Sequence, residues 1–261
     1  VDLVNPSSTE TVIDPACGAG GFLASTIRHH LAAGITTDDL SGFAGRFFGV
    51  DKDEYLTKLA RVHLALLTGG HPSIFHGDSI ASKRADGKSF DDFPKEGFDV
   101  LLTNPPFGAR IVSANAETLS TYELAKKWKI DAVSGEWVAS KEIRTQVPPQ
   151  VLFIERCLNL LRDGGRMGLV LPESLISNRS HRYVVQYLMD RAHILSVIGM
   201  PESLFKTSGK GGTHTKTCLV VAQKDEARAR GETKVFMAEA KWCGHDSRAR
   251  QIPNNDLPIV A

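Results

Sequence analysis

Four short apolar runs early in the chain each stop on a polar side chain. Thr11-Val12-Ile13 ends at Asp14, Arg46-Phe47-Phe48-Gly49-Val50 at Asp51, Ile74-Phe75-His76 just before Asp78, and Phe98 to Thr103 at Asn104. Helical patterns separate them: Leu23 to Ile27 follows a glycine turn, and Asp53 caps a helix running to about Thr68, stopped by Gly69-Gly70. Strands that alternate with helices form right-handed crossovers and a parallel sheet. Ligands of open parallel sheets sit outside the carboxyl ends of the strands, where these polar residues fall. Three further runs, Arg166 to Pro172, His193 to Met200 and Thr217 to Ala222, complete an expected seven-stranded α/β sheet. The link between the last two has no helix-length periodicity, so the last strand is expected antiparallel.

The fourth run is the most reactive in character. Phe98 to Thr103 is almost continuously apolar, as suits a strand covered on both faces, and it gives way to Asn104-Pro105-Pro106-Phe107-Gly108. Neither proline donates a main-chain hydrogen bond, which leaves the Pro105 carbonyl and the Asn104 side chain as acceptors. Two acceptors suit an exocyclic amine. They draw its lone pair out of the ring plane towards an electrophile, and Phe107 offers a flat surface for a planar base. A proline-rich strand exit is the plainer alternative.

The first turn, Asp14-Pro15-Ala16-Cys17-Gly18-Ala19-Gly20-Gly21-Phe22, lets main-chain amides approach a ligand with no side chain in the way. Its spacing departs from Gly-x-Gly-x-x-Gly, which weakens a nicotinamide or flavin reading. A carboxylate there attracts an ammonium group and repels a pyrophosphate. Asp51, at the end of the second strand, stands where such folds hold ribose hydroxyls, and Asp78 can accept from an adenine amino group. His63 falls on the apolar face of its helix and reads as a packed core histidine.

Beyond Gly108, residues Ala109 to Pro149 are expected to form a lid or a region with small helices. Lys126-Lys127-Trp128-Lys129 within it reads as a solvated helix face, with a phosphate-backbone contact as the alternative. Gln150 to Leu161 is an amphipathic helix stopped by Arg162-Asp163-Gly164-Gly165, and a further helix spans about Arg179 to Arg191. Ile35 to Gly45, Ala81 to Gly97 and Gly244 to Ala261 read as loops, and Lys234 to Met237 as a possible extra strand. Residues 205 to 216, rich in glycine, hydroxyls and lysine, suit either mobile phosphate contact or a flexible hairpin.

A net charge of +1 argues against sequence-independent adhesion of the whole surface to nucleic acid. The four cysteines include no Cys-x-x-Cys pair, so neither a zinc ribbon nor a disulfide framework is suggested, and reduced thiols in the cytoplasm are expected. No run approaches the ~18 apolar residues of a membrane span.

Taken together, the glycine turn, the three carboxylates and Asn104-Pro105-Pro106-Phe107 resemble the amino-group DNA methyltransferases that use S-adenosylmethionine. Within them, the Asp14 to Phe22 turn, Phe98 to Gly108, and Phe205 through Val221 look most similar to the modification subunit of type I restriction-modification systems. The resemblance implies the Rossmann-like methyltransferase sheet, with Asp14 and the Gly18, Gly20 and Gly21 turn on the methionine part of the cofactor. Asp51 would take the ribose and Asp78 the adenine, with Pro15, Ala16 and Ser79 completing the cofactor set. Asn104, Pro105, Pro106 and Phe107 would form the catalytic set around an adenine extruded from double-stranded DNA, with no metal.

The same resemblance implies a separate specificity subunit, a nuclease subunit in some assemblies, and no membrane partner. Family members carry an aromatic-containing segment before the first strand, where this chain has only Val1 to Glu10. Residues 1–222 are therefore expected to be the catalytic domain of a longer subunit and 223–261 an extension. The competing readings are methylation of a glutamine amide or an RNA base, and a non-catalytic scaffold for a specificity subunit.

Overall fold

Val100 and Leu102 pack into one hydrophobic cluster and Leu101 into another on the opposite face of the sheet, which explains why their strand is apolar throughout. The computed structural model describes residues 1–106, 114–205, 215–225, 234–248 and 250–260. In chain order these form β1 (Val12–Asp14), α1 (Gly21–Ala32), α2 (Thr37–Phe43), β2 (Phe47–Asp51), α3 (Glu54–Thr68), β3 (Ser73–Asp78), β4 (Lys83–Arg84) and β5 (Phe98–Thr103). There follow α4 (Ala116–Ser120), β6 (Lys126–Ile130), β7 (Trp137–Ile143), α5 (Pro149–Leu160), β8 (Leu161–Pro172), α6 (Glu173–Ser177), α7 (Arg182–Met189) and β9 (Ala192–Gly199). The chain closes with β10 (Thr217–Lys224), β11 (Phe236–Glu239), β12 (Cys243–His245), β13 (Gln251–Asn255) and α8 (Leu257–Val260).

The main sheet runs β11-β9-β10-β8-β5-β1-β2-β3-β4. Its inner seven strands are those expected, and β10 alone among them is antiparallel, to both β8 and β9. The three-residue β1 lies in the middle, where Val12 pairs with Phe47 on one side and Val100 on the other. The sheet has nine strands rather than seven because two short edge strands join it. β4 is only the polar pair Lys83–Arg84, which carries no apolar signal, and β11 pairs parallel to β9. Leu23, Ile27, Ala60 and Leu64 of α1 and α3 cover one face, and Val151, Ile154, Leu158, Val184 and Leu188 of α5 and α7 cover the other. Each fully buried leucine among them contributes about 1.5–3 kcal/mol.

Several boundaries differ from expectation for local reasons. Ile35 to Gly45 holds the helix α2, set by a capping box between Thr36 and Asp39 and anchored by Leu40, its one buried residue. The strand after α5 begins directly at Leu161, so Arg162 to Gly165 lie within β8. The span from Arg179 divides into a 3-10 turn at Arg179–His181 and then α7. β12 pairs with β13 where a loop was expected.

Between β5 and α5, residues 114–148 carry α4 and the β6–β7 hairpin, so Lys126 to Lys129 lie on a strand and not on a helix face. Trp128 donates to the Glu123 carbonyl and its ring lies 5.7 Å from that of Tyr183. The root of this insertion is held by Glu155, which is 4% exposed and accepts from the backbone N–H groups of Glu123 and Leu124 at 2.9 and 2.8 Å. Glu155→Ala would leave both amides without their acceptor, with an expected loss of about 2–4 kcal/mol. Urea unfolding of the variant checks this, and an unchanged midpoint would show that the clamp is dispensable.

Candidate active site

A cavity of about 700 Å³ opens outside the carboxyl ends of β1, β2, β3 and β5. Pro15 and Ala16 line it after β1, Asp51, Lys52 and Asp53 after β2, Gly77 to Ile80 at the end of β3, and Asn104 and Pro106 after β5. Ala114, Asn115, Pro149 and Phe153 form the remaining wall.

The glycine turn is shaped by its neighbours. Gly18 and Gly20 adopt φ values of +50° and +83°, a region that side chains rarely tolerate. A Cβ on Gly20 would meet Ala60 and Leu64 at 3.4 Å, an ordinary contact, so it is the backbone conformation and not the space that calls for glycine there. The Gly18 N–H donates to Asp51 Oδ2 at 2.8 Å, and Asp51 Oδ1 accepts from the Asp53 N–H at 2.9 Å. Asp51 thus ties the turn to the end of β2 while facing the cavity. Ser79 is tied in similarly, its hydroxyl donating to the Pro15 carbonyl at 2.6 Å.

Asp14 is 2% exposed and accepts from the Thr103 hydroxyl at 2.7 Å and the Ala16 N–H at 3.0 Å. Burial pushes its carboxyl up to about 7, against the pull of those two donors, and the neighbouring Asp51 charge adds to the rise. Asp78 Oδ1 accepts from the N–H groups of Ile80 and Ala81, and its other oxygen meets the Lys52 ammonium at 2.8 Å.

Asn104 supplies the unsatisfied group. Its Oδ1 is buried and has no hydrogen-bond partner among the described residues, while the residue lines the cavity. A buried acceptor left bare costs about 1–3 kcal/mol, a penalty that a bound donor removes. The neighbouring Thr103 turns to Asp14, so one strand end serves both the buried carboxyl and the open cavity.

Pro15, Ala16, Asp51, Asp78, Ser79, Asn104 and Pro106 thus meet at one cavity. Asp14, Gly18, Gly20, Gly21 and Pro105 are not part of its lining. Phe107 lies outside the described residues, as does most of the glycine-rich link from Lys206. The lining contributed by Lys52, Asn115, Pro149 and Phe153 was not picked out from the sequence. Lys52 was legible in principle, since it sits between two carboxylates at a strand end. Phe153 belongs to an ordinary apolar helix face, and only the packing of α5 brings it to the cavity.

A family profile described as N-6 DNA Methylase matches residues 1–258. The type I restriction enzyme EcoEI methylase subunit of Escherichia coli is 26% identical over 207 residues, covering 78% of this chain and 37% of the relative. A modification subunit of a putative type I restriction enzyme from Vibrio vulnificus superposes with a TM-score of 0.64 at 22% identity, covering 86% of this chain and 42% of that one. A putative class I S-adenosylmethionine-dependent methyltransferase from Listeria monocytogenes gives 0.63 at 21% identity, covering 96% and 62%. The chain spans a little over a third of the length of the curated relatives it matches, 37% and 36% for two of them.

Proposed function

The chain belongs to the N-6 DNA methylase family, and on that basis we propose that its cavity carries out methyl transfer from S-adenosylmethionine to the N6 amino group of adenine in DNA. The observation that carries this reading is the buried Asn104 Oδ1, without a partner among the described residues, on a residue that lines the same cavity as Asp51 and Asp78. The chemistry of the lining fits the cofactor: Asp51 and Asp78 border the cavity as the proposed acceptors for ribose hydroxyls and an adenine amine, and the buried Asp14 accepts from the Ala16 N–H at the turn. When bound, S-adenosylmethionine supplies an electrophilic methyl group.

The chain's own residues do the rest. Asn104 Oδ1 accepts one N–H of the target amine, and the Pro105 carbonyl is the proposed acceptor for the other. With both N–H groups held, the nitrogen lone pair leaves conjugation with the ring and points into the cavity. Fixing the two reactants in line is worth up to about 7–11 kcal/mol in the best intramolecular cases. Methylation makes the nitrogen acidic, and its extra proton passes to water. Extrusion of the base costs a few kcal/mol, offset by hydrogen bonding at Asn104 and by the proposed stacking on Phe107. Among the relatives are methylase subunits of type I restriction enzymes, which supports double-stranded DNA as substrate and a specificity subunit as partner.

Tritium transfer from labelled S-adenosylmethionine to unmethylated DNA, with and without a co-expressed specificity subunit, tests the reading by nucleoside analysis. Label in N6-methyladenine is expected, and only when the partner is present. Label confined to RNA or protein would replace DNA as the substrate.

A further inference from the structure

A second cavity of about 420 Å³, sharing no lining residue with the active-site cavity, is lined by Ser82, Ser89, Lys95, Arg156, Asn159 and Lys224 among others. Arg156 is the unexplained residue there. It stands on α5 three residues after Phe153, its Nε is buried without a partner, and its side chain makes no hydrogen bond or ion pair with any described residue. Other arginines at the sheet are paired: Arg166 with Glu10 and with the Val4 and Asn5 carbonyls, Arg61 with the Ile74 carbonyl, and Arg84 with Asp92. Leaving a partly buried guanidinium unpaired is costly, because the lost hydration is not replaced by a counter-charge.

We propose that this cavity is an oxyanion site, with Arg156 as its main ligand for a phosphate group, free or as the ester of a small molecule. The donors suit that chemistry. A guanidinium offers a planar fork to tetrahedral oxyanions, and the Ser82 and Ser89 hydroxyls and the Asn159 amide add neutral donors. Lys95 contributes a second cation, balanced by Glu96 as the one carboxylate in the lining. The C-terminal dipole of α5 opposes an anion, but more weakly than a charge-assisted guanidinium contact favours it. Phe90 and Phe93, stacked at 4.8 Å, wall the cavity, whose volume leaves room for an organic group beyond the phosphate. Burial lowers the pKa of Arg156, outweighing the opposing influence of Tyr122, Cys157 and Asp78.

Thermal unfolding at constant ionic strength tests the site, with inorganic phosphate and glycerol 3-phosphate as probes against chloride. The wild-type midpoint is expected to rise with either probe, and affinity to fall about tenfold in Arg156→Gln, the loss of one charge-assisted contact. In chloride alone the order reverses, with Arg156→Gln at least as stable as wild type because the unpaired charge is gone. A larger rise with the ester than with phosphate identifies an esterified ligand, and equal rises identify free phosphate. An equal phosphate response in wild type and Arg156→Gln, or none in wild type, overturns the proposal. Arg156→Lys, which keeps the charge without the fork, is expected to retain part of the response.

Discussion

Asn104→Ala is expected to lower methyl transfer by about two to four orders of magnitude, the usual contribution of a positioned proton-handling or acceptor group, with cofactor affinity nearly unchanged. The asymmetry follows from placement. Asn104 sits at the end of β5, and its Oδ1 has no partner among the described residues, so the alanine variant takes from them no hydrogen bond to that oxygen. Its truncation removes a bare buried acceptor, which leaves stability unchanged or slightly raised. Single-turnover transfer and calorimetric titration with S-adenosylmethionine separate the two quantities. Full activity in the variant would move the chemistry to another part of the cavity, and a parallel loss of cofactor affinity would make Asn104 a cofactor ligand instead.

The second large effect concerns Asp14 and pH. Its folded carboxyl titrates at about 7, raised from 3.8 chiefly by burial. The unfolded chain gives up this proton near pH 4, whereas the folded chain keeps it until about 7. Between those values the folded state binds the extra proton, so raising the pH costs stability, on the order of a few kcal/mol, and the loss is complete above about 7. Asp14→Asn should flatten that slope, as read by urea unfolding at about pH 5 and about pH 8. A cationic ligand at the turn favours the ionised carboxyl, so S-adenosylmethionine affinity should climb with pH through about 7 in the wild type and stay flat and weaker in the variant. Identical pH profiles for the two proteins would remove Asp14 from both roles.

What the sequence disclosed follows from how local each signal was. The helix α3 was readable to the residue, because Asp53 caps it at the Leu56 N–H and Gly69 closes it with a φ of +67°. The strand ends were readable because burial on both faces forces a continuous apolar run and the polar residue marks where cover stops. By contrast, α2 rests on a capping box and one buried leucine, a pattern too short to distinguish from a loop. The β6–β7 hairpin is set by Glu155, some thirty positions along the chain, and by rings of α7 packing on Trp128. No window around Lys126 to Lys129 contains that information. In the site, Asp51, Asp78 and Asn104 were found from their positions at strand ends, whereas Asn115 and Phe153 reach the cavity only through the packing of later elements.

The three-residue β1 has a kinetic consequence. Held on one side by β2 and on the other by β5, it cannot be nucleated by any hairpin, since both partners are parallel and distant in sequence. Its closure waits on two crossover connections, and such non-local pairing slows folding. The wall of the cavity that follows β1 therefore consolidates late, and in a refolding experiment the competence to bind ligand should lag behind the appearance of helix.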